Sequence, residues 1–168
     1  GEKGKLQCDY YVLKEDLEKA RVQFRQAPMM LAAFEYWMGP YPFYEDGYKL
    51  VQTPYLGMEH QSSVTYGNGF MNGYRGRDLS VSGWGMKFDF IIIHESGHEW
   101  FANSITHEDA ADMWVHESFT NYSENLYVEY YYGKEAGRDY VLGCRGNIRN
   151  DRPITGVYNV NVSGSGDM

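Results

Sequence analysis

His94 and His98 flank Glu95-Ser96-Gly97 in a stretch whose pattern reads as helix. Four residues are about one helical turn, so both imidazoles stand on one face and their ring nitrogens can converge on a single metal ion. Zinc is the expected occupant, one ion per chain. Glu95 projects beside the first ligand, where it can polarise a water without binding the metal, which makes it the candidate general base. A zinc site of this kind needs a third protein ligand. Eighteen residues separate His98 from Glu117, which offers one; the interval is long enough to end one helix, turn, and return antiparallel with a carboxylate facing the histidines.

The elements that must hold these groups follow from their flanks. Asp89 can cap the metal helix, Phe90-Ile91-Ile92-Ile93 reads as its buried start, and the helix is expected to run to about Ser104. Gly97 inside it costs about 1 kcal/mol relative to alanine, which suggests a backbone that something must approach closely. A second helix is expected from Trp114 to Gly133. On it Glu117, Asn121 and Glu124 share one face, so Asn121 and Glu124 are candidates to hydrogen-bond the metal ligands. His116 faces another way and is not counted as a ligand; His107 reads as an exposed loop histidine.

Three stretches together resemble a known family. His94, Glu95, His98 and Glu117 look like the gluzincin pattern of two helical histidines, eighteen intervening residues, and then a glutamate. Glu99-Trp100-Phe101-Ala102-Asn103 and Trp114 to Glu124 resemble the aminopeptidase N (alanyl aminopeptidase) family of zinc metallopeptidases, peptidase family M1. Upstream, Leu56-Gly57-Met58-Glu59-His60 resembles that family's Gly-x-Met-Glu-Asn motif, with His60 in place of asparagine and Leu56 where glycine is common. The resemblance implies that Glu59 holds the free α-amine of a peptide, with Gly57 and Met58 beside the substrate. Met58 is expected to pack and Gly57 to let a peptide backbone pass. It also implies a thermolysin-like catalytic domain, truncated, of α+β class with helices packed on a small sheet. In that reading residues 1–168 are part of one domain, and the family's N-terminal β domain and C-terminal helical regions lie outside them. The family's oxyanion-stabilising tyrosine is expected beyond Met168, which would leave the isolated 168-residue chain weakly active or inactive.

Composition allows one sizeable packed core. The chain is 43% hydrophobic, carries 16 tyrosines, and has a net charge of −8. That balance leaves no basic stripe for phosphate neutralisation and argues against nucleic acid, whereas an acidic cleft suits a cationic ligand. No run reaches the length of a transmembrane helix. Cys8 and Cys144 sit in no metal motif and read as unpaired, and nothing here marks a compartment. Gly67 to Gly85 is glycine-rich but fits no phosphate loop.

Taken in order, the remaining pattern predicts an extended entry over Lys5–Leu13, then a helix capped by Asp16. A second helix follows with Pro28 in its first turn and Met29, Ala33 and Trp37 on its core face. Strands are expected at Tyr48–Gln52 and Ser63–Tyr66, with a short one at Leu79–Val81. A last helix is expected over Glu135–Arg145, followed by a polar loop through Ser163–Met168. The expected activity is zinc-dependent removal of the N-terminal residue from peptides with a free N-terminus. An endopeptidase on the same scaffold would require Glu59 to face away from the cleft. A zinc-containing binding module without turnover would have no need of Glu95.

Overall fold

The computed structural model describes residues 4–158. Four strands, β1 (Cys8–Tyr11), β2 (Tyr48–Gln52), β3 (Gly57–Met58) and β4 (Val64–Tyr66), form one sheet in the order β1-β2-β4-β3. The first two pairings are parallel and the β3–β4 pairing is antiparallel. Parallel neighbours need a long crossover, and α1 (Leu17–Gln23) with α2 (Gln26–Met38) supplies the one between β1 and β2. β3 lies at the sheet edge, with β4 as its one partner strand among the described residues.

Three further helices complete the α+β architecture: α3 (Phe90–Gly97), α4 (Trp114–Tyr132) and α5 (Lys134–Cys144). α3 packs against α2, α4 and β4, so the helix carrying the histidines is the centre of the layer. Its isoleucines, Ile91, Ile92 and Ile93, are buried with Met30 and Phe34 of α2, Leu50 of β2, Val64 and Tyr66 of β4, and Tyr127 and Val128 of α4. Each such side chain contributes about 1.5–3 kcal/mol by leaving water, which is what holds a helix of only two turns in place.

Asp89 fixes where α3 starts. Its Oδ1 accepts the N–H groups of Ile91 and Ile92 and the Asn68 amide, and its Oδ2 accepts from Tyr66 Oη at 2.6 Å and Gln23 Nε2 at 2.7 Å. The cap anticipated from sequence is thus also the buried junction of α1, β4 and the 67–73 loop. At the other end α3 stops at Gly97, earlier than the expected Ser104. The Asn103 N–H reaches back to the His98 carbonyl at 2.9 Å, closing the helix end before another turn can form.

Three other expectations are corrected. Leu79–Val81 is not a strand. The Asp78 carboxylate accepts Ser80 N–H, Ser80 Oγ and Gly83 N–H, which curls the segment, and Val81 is held at φ 55°. Trp37 is not core but lies at the rim, 39% exposed, its indole N–H donating to the Leu126 carbonyl. Asp16 occupies the N-cap position of α1 without capping it, because its carboxylate accepts instead from Lys19 and Gln52. The polar tail expected at Ser163–Met168 lies outside the described residues.

Candidate metal centre and active site

α3 supplies His94, Glu95 and, at its C-cap, His98; the first turn of α4 supplies Glu117. Nε2 of His94 lies 3.5 Å from Oε2 of Glu117, and Nε2 of His98 lies 3.7 Å from the same oxygen. One potential ligand atom from each residue falls within 4.8 Å of the other two. Tetrahedral zinc with bonds near 2.1 Å places its ligand atoms roughly 3.4 Å apart, so this donor set fits that ion.

The other nitrogen of each ring is already engaged, which settles the direction each ring presents. His94 Nδ1 lies 2.8 Å from Oε1 of Glu124. A carboxylate can only accept there, so Nδ1 carries a proton, and Nε2 is the nitrogen turned towards Glu117, where it would meet a metal ion once its own proton is displaced. Glu124 is itself oriented by Tyr140, whose Oη donates to Oε2 at 2.5 Å. His98 Nδ1 lies 3.1 Å from the Phe101 carbonyl and 3.1 Å from Thr120 Oγ1. Phe90, one turn before His94, stacks on its ring at 5.0 Å and 15°.

The electrostatics of this point favour a positive charge. Burial opposes protonation of His94, yet the Glu117 and Glu124 carboxylates outweigh it and push its pKa up to about 10. His98 is shifted down by burial and by the neighbouring His94. Glu117 is held below the usual carboxylate range, chiefly by its hydrogen bond with His94. Burial raises Glu95 to about 7, with Glu59, Glu117 and Glu124 adding to the shift and His94 opposing it. Glu59, on the segment just after β3, belongs to the same pocket: its carboxylate, that of Glu95 and a His98 nitrogen lie within 4.8 Å of one another.

A family model described as the Peptidase family M1 domain matches residues 24–156, the span that contains every residue of this pocket. The chain belongs to the peptidase M1 family. Among curated M1-like relatives it is similar to endoplasmic reticulum aminopeptidase 1 of Mus musculus. That likeness is 24% identity over 143 residues, covering 84% of this chain and 15% of the relative. It is also similar to leukotriene A-4 hydrolase of Xenopus laevis, 27% identical over 148 residues, covering 87% of this chain and 22% of the relative. In fold it resembles the M1 zinc metallopeptidase from Deinococcus radiodurans, with a TM-score of 0.59 at 23% identity over 89% of this chain and 31% of that one. The chain therefore spans less than a third of the length of the proteins it matches.

On the side where a Cβ would stand, Gly57 packs against α3: a Cβ there would lie 2.7 Å from Ile91 Cγ2 and 3.1 Å from Glu95 Cγ. Other residues sit differently from expectation. Met58 does not pack; it is 44% exposed, because the edge strand turns its side chain outwards. Asn121 is exposed on α4 and makes no hydrogen bond to either histidine, leaving Glu124 to engage His94. His107 is half-buried and stacks on His116 at 4.1 Å, while His116 Nε2 bonds Thr106 Oγ1; neither joins the metal set. Tyr158 donates to the Asp112 carboxylate in the turn before α4.

Sequence reasoning missed Thr120 and Tyr140. Thr120 carried a usable signal, since it stands three residues after Glu117 and therefore near the same helical face. Tyr140 carried none, because only the packing of α5 on α4 brings it to Glu124.

Proposed function

We propose that this chain is the catalytic core of a zinc aminopeptidase, part of one thermolysin-like domain within a longer protein. His94, His98 and Glu117 hold the ion, one per chain. Zinc bound there supplies Lewis-acid polarisation of water and of the scissile carbonyl. Glu95 takes a proton from the attacking water as the new C–O bond forms, then gives that proton to the amide nitrogen as the C–N bond breaks. Glu124 and Thr120 keep the imidazoles in their orientation throughout.

The observation that carries the exopeptidase reading is the closeness of the Glu59 and Glu95 carboxylates. A second carboxylate so near the base makes the pocket receptive to a cation. A peptide's free ammonium paired with Glu59 would set the first peptide bond over the water-activating residue. The exposed edge of β3 offers backbone groups along which an extended peptide can lie, with Met58 beside it. The likeness to endoplasmic reticulum aminopeptidase 1 supports this assignment.

The test is hydrolysis of alanyl and leucyl peptides, free and N-acetylated, by the full-length protein carrying this chain. Free-amine substrates are expected to be strongly preferred, with the preference lost in Glu59→Ala while zinc is retained. Equal turnover of blocked and unblocked peptides by the unmutated protein would replace this reading with an endopeptidase.

A further inference from the structure

The loop that carries Glu59 is fastened to the far end of the metal helix by two side chains that follow His98. Asn103 Nδ2 donates to the Glu59 backbone carbonyl at 2.8 Å, while the Asn103 main-chain N–H donates to the His98 carbonyl at 2.9 Å. One residue therefore links a proposed metal ligand directly to the proposed amine anchor. Beside it, Glu99 is completely buried. Its Oε1 accepts the Ser62 N–H at 2.9 Å and Asn103 Nδ2 at 3.4 Å, and its Oε2 accepts Tyr41 Oη at 2.8 Å.

Between these two attachment points the chain reverses, with Ser63 N–H donating to the His60 carbonyl at 2.9 Å. Ser62 sits at φ 56°, a left-handed conformation that a non-glycine residue keeps only where its surroundings impose it. The sheet alone is a weak support here, because β3 has two residues and one partner strand. The position of Glu59 relative to His98 thus depends on bonds from residues 99 and 103.

We infer that Asn103, assisted by Glu99, is a positioning residue for recognition of the substrate α-amine, setting the distance between the Glu59 carboxylate and the metal ligands. This rests on the reading of Glu59 as the amine anchor. An ammonium bound to a displaced anchor would draw the first peptide bond out of line with Glu95, and displacements of about 1 Å can cost about 10²-fold in rate. Asn103 need not touch the substrate to do this.

The experiment compares Asn103→Ala, Glu99→Ala, Glu99→Gln and Glu59→Ala in the full-length, zinc-loaded protein. KM and kcat are measured on a leucyl substrate, together with inhibition by leucinamide and by N-acetyl-leucinamide, zinc content and Tm. Asn103→Ala is expected to raise KM and weaken leucinamide inhibition by about tenfold and to lower kcat by up to about 10²-fold, with zinc content little changed and N-acetyl-leucinamide inhibition unaffected. Glu99→Ala should follow it, whereas Glu99→Gln keeps an acceptor for the Ser62 N–H and should behave like the unmutated protein. If Glu59→Ala loses leucinamide selectivity but Asn103→Ala and Glu99→Ala keep it, the inference is overturned and the amine anchor stands. A fall in Tm with unchanged selectivity in the protein that remains folded would likewise reduce Asn103 to a structural role. If Glu59→Ala itself leaves leucinamide selectivity intact, the amine-anchor reading fails, and this inference with it.

Discussion

His94 and Glu124 are joined by a 2.8 Å hydrogen bond from Nδ1 to Oε1, and the second oxygen of Glu124 is capped by Tyr140 Oη. The bond crosses from α3 to α4, and the tyrosine brings in α5. In the proposed zinc site, the orientation of His94 therefore depends partly on a helix that contributes no ligand. Glu124→Ala should weaken zinc binding by about 10–100-fold, and Tyr140→Phe should weaken it less, since the carboxylate stays but loses one of its two holds. Competition against a chelator of known affinity reads both. Unchanged zinc affinity in Glu124→Ala would show that the ring is oriented by packing on Phe90 alone.

Glu117 and Glu95 should separate binding from chemistry. Glu117→Ala removes one of three donors and should lower zinc occupancy, measured by elemental analysis of protein purified without chelator. Glu95→Gln should retain zinc and lose about 10²–10⁴ in kcat, the usual contribution of a general base. Stripping the metal with a chelator should abolish hydrolysis in both the unmutated protein and Glu59→Ala. Zinc loss in Glu95→Gln as severe as in Glu117→Ala would reverse the two assignments.

Gly97 lets α3 and α4 meet. A Cβ there would stand 2.6 Å from Ser123 Oγ and 3.0 Å from Thr120 Cγ2. Overpacking of this kind costs about 1–3 kcal/mol, set against a gain of about 1 kcal/mol from replacing glycine in a helix. Gly97→Ala is expected to be net destabilising by about 1 kcal/mol in chemical denaturation. Ser123→Ala in the same protein should recover part of the loss by removing the hydroxyl. Because Thr120 also touches His98, the single variant should bind zinc more weakly as well. A Gly97→Ala protein as stable as the original would mean the helices can separate at no cost.

The local pattern of the chain singled out the proposed metal set. A four-residue interval between histidines is one turn of any helix, so His94 and His98, with Glu95 beside them, could be placed on one helix before any fold was known, and Glu117 was proposed because eighteen intervening residues leave room for the chain to turn and return. The cap at Asp89 and the helical and strand runs of apolar residues were legible for the same reason, since each depends on neighbours within a few positions. What the sequence could not show were relationships between groups far apart along the chain. The approach that Gly97 permits comes from Ser123, the partner of Glu124 is Tyr140 on another helix, and the Glu59 loop is tied down from Asn103. Periodicity placed Asn121 and Glu124 together on one face, but only the rotation of α4 against α3 decided that Glu124 reaches His94 and Asn121 faces solvent. The end of α3 at Gly97 and the exposure of Met58 were decided in the same way, by a backbone bond to His98 and by the edge position of a two-residue strand.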